Sequence, residues 1–140
     1  ANTFFLSCDN AHAVHPNHPE LSDPTNKTLL GKGIVIKHHA NQNYTSDAFS
    51  SAIAKNVFSK ANAAYQDFYM RSDLPCGGTL GAISSSQVSV RSADIGIAQL
   101  AMHSAYETAG ARDVELGVDA LAAYFRCDLH IDGADSFELR

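Results

Sequence analysis

The chain has 140 residues, a formal net charge of −5, and 45% hydrophobic against 18% charged residues. This is the composition of one ordinary globular domain and excludes disordered or fibrous chains. The basic residues are scattered, so no stripe awaits a nucleic-acid backbone. No apolar run nears the ~20 residues of a bilayer span, so neither a nucleic acid nor a membrane is expected as a partner.

In chain order, residues 3–7 are a short apolar run, expected as a buried strand that delivers Asp9 at its C-terminal end. Residues 15–32 hold three prolines, two asparagines and a serine without periodicity and read as a long loop. Residues 33–37, rich in β-branched side chains, predict a second strand. Phe49, Ala52, Ile53, Val57 and Phe58 then repeat at helical spacing behind a Thr45/Ser46 cap. Residues 66–70 predict a third strand, Pro75-Cys76-Gly77-Gly78 a break, and Leu80 and Ile83 a short helix.

Residues 88–95 predict a fourth strand, followed by a loop into Met102-His103. Leu116, Ala120, Leu121 and Tyr124 share one face of a helix over 114–125, and the polar tail 128–140 is expected as an edge or a loose end. Strands alternating with helices predict an α/β sheet covered on both faces. Ligands of such sheets collect at the carboxyl ends of the strands, which groups Asp9, Lys37 and His103. Cys8, Cys76 and Cys127 form no C-x-x-C pair, which favours free thiols in a reducing, cytoplasmic setting.

The seven histidines are the compositional oddity, with His12/His15 and His38/His39 in two clusters. Asp9, His12 and His15 read either as part of a metal site or as a polar loop with an Asx turn. His15-Pro16 opposes the helical turn that would bring both histidines to one face. Cys76 reads either as a thiol nucleophile at a helix N-terminus or as a small core residue. Gly77 to Gly81 lacks the lysine and spacing of a phosphate loop, so close backbone packing is the simpler reading.

Four blocks together resemble the M18 family of metallo-aminopeptidases, the aspartyl aminopeptidase group. They are SCDNAHAVHPN at 7–17, KGIVIK at 32–37, PCGGTLG at 75–81 and DIGIAQLAMHS at 94–104. The resemblance implies part of a zinc-exopeptidase (phosphorylase/hydrolase-like) three-layer α/β/α domain. Residues 1–127 would be the C-terminal part of its catalytic domain and 128–140 a polar tail.

It also implies a two-zinc exopeptidase that removes N-terminal, often acidic residues from peptides. The two ions, about 3.5–4 Å apart, hold a hydroxide between them, and cobalt or manganese can replace zinc in an O/N site. By that resemblance Asp9 and His103 are metal ligands, while Asp9, His12, Lys37 and Tyr44 contact substrate. His15 would stand behind them, holding the loop by a hydrogen bond.

Gly78 stands where the family usually has Ser or Thr, and Ala82 and Ala98 where it usually has Pro. The first histidine ligand, the bridging aspartate, the glutamate pair with the general base and the dimerisation domain have no counterpart in these residues. The expectation is therefore a fragment, inactive alone, of an enzyme that forms dimer-based homo-oligomers such as dodecamers. The alternative is a non-enzymatic assembly module derived from such a domain.

Overall fold

The computed structural model describes residues 3–140; Ala1 and Asn2, the start of the expected catalytic part, lie outside them. The main sheet has the order β1 (Phe4–Cys8), β5 (Arg91–Leu100), β3 (Ile34–His38), β4 (Tyr65–Tyr69). Two short strands, β2 (Ala11–His12) and β6 (Thr108–Ala109), pair with the far end of β5. β1 and β2 run parallel to β5, whereas β3 runs antiparallel to it and parallel to β4.

This mixed direction corrects one expectation. Ile34 pairs with Ile97 and Ile36 with Ile95, so Lys37 ends a strand that points away from the ends carrying Asp9 and His103. Lys37 does not share their address by strand end.

Alternation along the strands sorts two cores. Phe4, Ile34, Ile36, Ala93 and Ile95 meet Ile53, Ala54, Val57 and Phe58 of α1 (Ala48–Lys60) and Ala120 of α3 (Ala111–Arg126) on one face. Burying a side chain the size of Ile53 or Phe58 stabilises by roughly 1.5–3 kcal/mol. On the other face Val35, Phe68 and Ala98 pack with Ala11, Ala13 and Tyr44. Helix α2 (Leu80–Gln87) also covers that face, with Gly81 against the Asp94 carboxylate and Ser7. A Cβ there would lie 2.8 Å from the carboxylate oxygens, so the helix approaches this closely only as glycine. Leu80 and Ile83 point outward.

Local details differ from the pattern reading. The α1 cap is Asp47, whose side chain accepts from the Ser50 N–H while Ser50 Oγ accepts from the Asp47 N–H. Thr45 and Ser46 are held instead by Asp94. The fourth strand is Arg91–Leu100, shifted past the apolar Val88–Val90 stretch. In α3, the fully buried Asp113 accepts the N–H of Gly31 (2.6 Å) and of Gly33 (2.8 Å), tying the entry to β3.

The tail is neither an edge of the main sheet nor loose. It folds as a separate hairpin, β7 (Leu129–Asp132) and β8 (Ser136–Leu139). Leu129, Ile131, Phe137 and Leu139 pack against the α1/α3 core, and Lys60 Nζ donates to the Leu139 carbonyl at 2.7 Å. No helix among the described residues is long and apolar enough to cross a membrane.

Candidate functional site

Asp9 follows β1 directly, and its N–H continues the parallel ladder to the Ile95 carbonyl at 2.9 Å. The backbone there presses on β5: a Cβ at Gly96 would lie 2.2 Å from the Asp9 carbonyl oxygen. Asn10 clasps the same strand, donating to Gln99 Oε1 (2.8 Å) and accepting the Ile97 N–H (3.3 Å). The Asp9 side chain is left half-exposed, with Lys37 Nζ 3.9 Å from Oδ2 as its charge partner.

Lys37 reaches this corner through its side chain. It projects from β3 on the same face as Val35, is 3% exposed, and donates to the Asn10 carbonyl at 3.1 Å and, more weakly, to that of Asp9 at 3.5 Å. Its ammonium lies 4.4 Å from the centroid of the Tyr44 ring, a cation–π contact in a dry setting. Burial pulls the Lys37 pKa down, and the charges of Asp9, Asp94 and Cys76 oppose that pull. Tyr44 is itself 4% exposed; burial and a hydrogen bond with Cys76 push its phenol above the usual range. It supports Lys37 from beneath rather than standing open to solvent.

Asp94 secures that support. It is fully buried, and its Oδ2 accepts the Thr45 N–H (2.6 Å) and hydroxyl (3.1 Å), while its own N–H donates to Ser46 Oγ (2.9 Å). The Tyr44–Ser46 segment is thereby latched to β5.

His12 lies on β2, opposite Gln99. Loss of hydration lowers its pKa, and Lys37 and His103 lower it further. His103 therefore lies within electrostatic reach of His12 despite its distance in sequence. It follows β5 in a loop where Ala101 (φ 55°) and His103 (φ 67°) both adopt the left-handed conformation that non-glycine residues rarely take. The His103 N–H donates to Glu107 Oε1 at 2.6 Å, and its imidazole makes no hydrogen bond among the described residues.

The donor set suits zinc in type, an oxygen from Asp9 and a nitrogen from His103. Among the described residues neither side chain is engaged in a hydrogen bond, and Lys37 stands 3.9 Å from Asp9 Oδ2. Two donors are half of a tetrahedral shell, and no group of three or more His, Cys, Asp or Glu able to hold a metal ion occurs among the described residues.

The other histidines resolve into local contacts. His15 Nδ1 accepts the Asn17 N–H at 3.2 Å, and His18 pairs with Glu20 at 3.0 Å; with His12, Tyr69 and Met70 they line a hollow of about 220 Å³. His38 is 2.8 Å from Asp67 and stacks on Tyr69. Helix α2 starts only at Leu80, so its N-terminus does not fall on Cys76, whose thiol donates to the Gly77 carbonyl. All three cysteines are free. Space is open around Gly78, and Ala98 is fully buried beside Ala11.

Asn10, Asp94, Gln99 and Glu107 escaped the sequence reading, since each works through a partner on another element or across a turn. Asn10, Asp94 and Gln99 do lie inside the blocks that carried the resemblance, a signal that was present and unused.

Comparison with known proteins bears on this arrangement. The family described as aminopeptidase I zinc metalloprotease (M18) matches residues 1–125. A probable M18 family aminopeptidase 2 of Clostridium novyi is 46% identical over 125 residues, covering 89% of this chain and 29% of that protein. A probable aspartyl aminopeptidase of Ricinus communis is 39% identical over 130 residues, covering 93% and 26%.

Among solved structures, a chain of the Ape4 and Nbr1 complex superposes with a TM-score of 0.87 at 37% identity, covering 89% of this chain and 24% of that one. The crystal structure of prApe1 does so with 0.86 at 32%, covering 90% and 26%. The chain thus spans between a quarter and a third of the curated relatives it matches. Over that span it belongs to the M18 family of zinc metalloproteases.

Proposed function

We propose that this chain supplies one corner of the active site of an M18 aminopeptidase that removes N-terminal, acidic residues from peptides. Asp9 and His103 would hold one zinc ion each of a pair, cobalt or manganese being able to replace zinc, and that pair would supply Lewis acidity toward water. Asp9, His12 and the Lys37 ammonium form the substrate wall, backed by the buried Tyr44. His12, held neutral by its lowered pKa, donates an N–H to the scissile carbonyl and its developing oxyanion. Lys37 is a fixed point charge for a substrate carboxylate, and Tyr44 holds it in place.

The observation that supports this reading is the half-exposed Asp9 carboxylate 3.9 Å from the ammonium of the buried Lys37, with His12 near enough to both Lys37 and His103 for their charges to lower its pKa. The remaining ligands and the general base come from family sequence outside this chain, so the chain alone is not competent. Its assembled form is a dimer-based homo-oligomer in the cytoplasm; one solved relative is the mApe1 dodecamer of S. cerevisiae.

The test is hydrolysis of Asp- and Glu-p-nitroanilide by the chain alone and by the chain joined to the rest of an M18 catalytic domain. Activity is expected only in the second, and its loss on His103→Ala. Turnover by the 140-residue chain alone, with stoichiometric metal, overturns the fragment reading. Inactivity of the joined protein would favour a non-enzymatic assembly module instead. The exposed Val114, Val118 and Phe125 of α3 and the free edge of β1 suit such a module.

A further inference from the structure

His103 sits in an unusual loop. Gln99 pairs with Ala109 and Leu100 with Thr108, closing residues 101–107 at their base. Inside, the Ser104 N–H donates to the Ala101 carbonyl (3.0 Å) and the Tyr106 N–H to Ser104 Oγ (3.0 Å). These bonds leave the His103 N–H to a side chain, and the Glu107 carboxylate takes it at 2.6 Å, a short bond to an ionised acceptor. Residues 103–109 are all exposed, so no apolar packing holds His103 in its left-handed conformation. A sparsely populated backbone state persists only where its surroundings enforce it, and such states cluster at functional sites.

We propose that Glu107 is a positioning residue for His103: its carboxylate locks the His103 backbone in the left-handed state and so fixes where the imidazole is presented. The inference rests on His103 being a metal ligand. Carboxylates that orient a ligating histidine usually bind its second ring nitrogen; here the carboxylate grips the backbone N–H of the same residue. The ring keeps both nitrogens free, one for a metal. Because the bond is at the surface, its loss should barely alter global stability while releasing the ligand.

The experiment uses the chain joined to the rest of an M18 catalytic domain, in parent, Glu107→Ala and Glu107→Gln forms, with Zn²⁺ titrated into the metal-free protein, since this chain alone offers each ion a single donor. The His103 imidazole resonances report zinc occupancy at that residue, and backbone chemical shifts report its left-handed state. Glu107→Ala should lose that state and weaken zinc binding at His103 by about 10- to 100-fold, with an unchanged melting temperature. Glu107→Gln keeps an oxygen that accepts the same N–H and should restore binding to within about 3-fold of the parent.

Unchanged zinc affinity in Glu107→Ala overturns the proposal. So does an equal loss in Glu107→Gln with the backbone state intact, because Glu107 would then be a ligand itself. If the parent His103 shows no response to zinc, its assignment as a ligand fails, and this proposal falls with it. That outcome is distinct from a parent that binds and a Glu107→Ala variant that binds equally well.

Discussion

Replacing Asp113 by alanine tests whether the entry into β3 is held from α3. The carboxylate is fully buried and accepts two backbone donors, Gly31 N–H at 2.6 Å and Gly33 N–H at 2.8 Å. Truncation leaves both donors without an acceptor. Stranding a buried donor costs about 1–3 kcal/mol, and Gly31 is only partly buried, so the sum is about 3 kcal/mol. At about 2.1 cal/mol/K per residue of unfolding entropy, a chain of this length should lose about 10 °C in Tm.

Calorimetry or far-UV circular dichroism reads that shift directly. Asp113→Asn should lose roughly half as much, because its amide nitrogen presents hydrogens to one of the two donors. Gly110→Ala offers an independent check. Its Cβ would come within 2.6 Å of Asp113 Oδ2 and 2.7 Å of the Gly31 nitrogen. The two substitutions combined should be less destabilising than their sum, because truncating Asp113 vacates part of the space the new methyl needs. A loss below about 1 kcal/mol in Asp113→Ala, or strict additivity with Gly110→Ala, would refute this account of the turn.

Gly96→Ala should cost about 1–3 kcal/mol by urea denaturation, since the new methyl meets the Asp9 backbone at 2.2 Å; stability equal to the parent would show that β1 yields freely there. His12 should titrate below its ordinary 6.5, as followed by its imidazole proton shifts against pH. Because the folded protein resists protonating His12, this residue destabilises the fold as pH falls through the unfolded value toward the lowered folded one, and is neutral above both. Lys37→Met should raise the His12 titration midpoint by removing one of the charges that depress it. The same change should alter stability by less than breaking an ion pair would, because it also removes the cost of burying an ammonium.

The elements legible in the sequence were those whose signal is local. The β-branched run before Lys37 and the apolar spacing of α1 and α3 need no distant partner to be recognised. The α1 cap was misplaced because Thr45 and Ser46 are good capping residues whose hydroxyls are engaged by Asp94, nearly fifty residues later. The capping role passes to Asp47, where Ser50 reciprocates. Strand β5 carries Arg91, Ser92, Asp94 and Gln99, polar residues that mask it until Thr45, Ser85 and Asn10 are seen to satisfy three of them.

Strand direction was the larger omission. Nothing local in residues 33–37 says whether they run with or against β5, and that choice decides how Lys37 approaches Asp9. The tail was misread for a related reason: its apolar residues alternate with polar ones, which looks polar overall until a hairpin turns Leu129, Ile131, Phe137 and Leu139 to one side.

The candidate site depends on β5 more than on any loop. Asp9 bonds to Ile95 and abuts Gly96, Asn10 clasps Ile97 and Gln99, and His12 pairs beside Gln99. Lys37 arrives through the antiparallel pairing of β3, Tyr44 through the Asp94 latch, and His103 as the continuation of the strand itself. Groups built on one strand keep their mutual geometry better than groups on separate loops.

The 13–32 segment bears on His12 and its hollow but holds none of the other candidate side chains. A disturbance in β5 should therefore move several site residues together, while one in that loop should reach His12 alone. Gly96 is where this coupling is tightest, since the atoms it brings into contact with β5 belong to the backbone of Asp9.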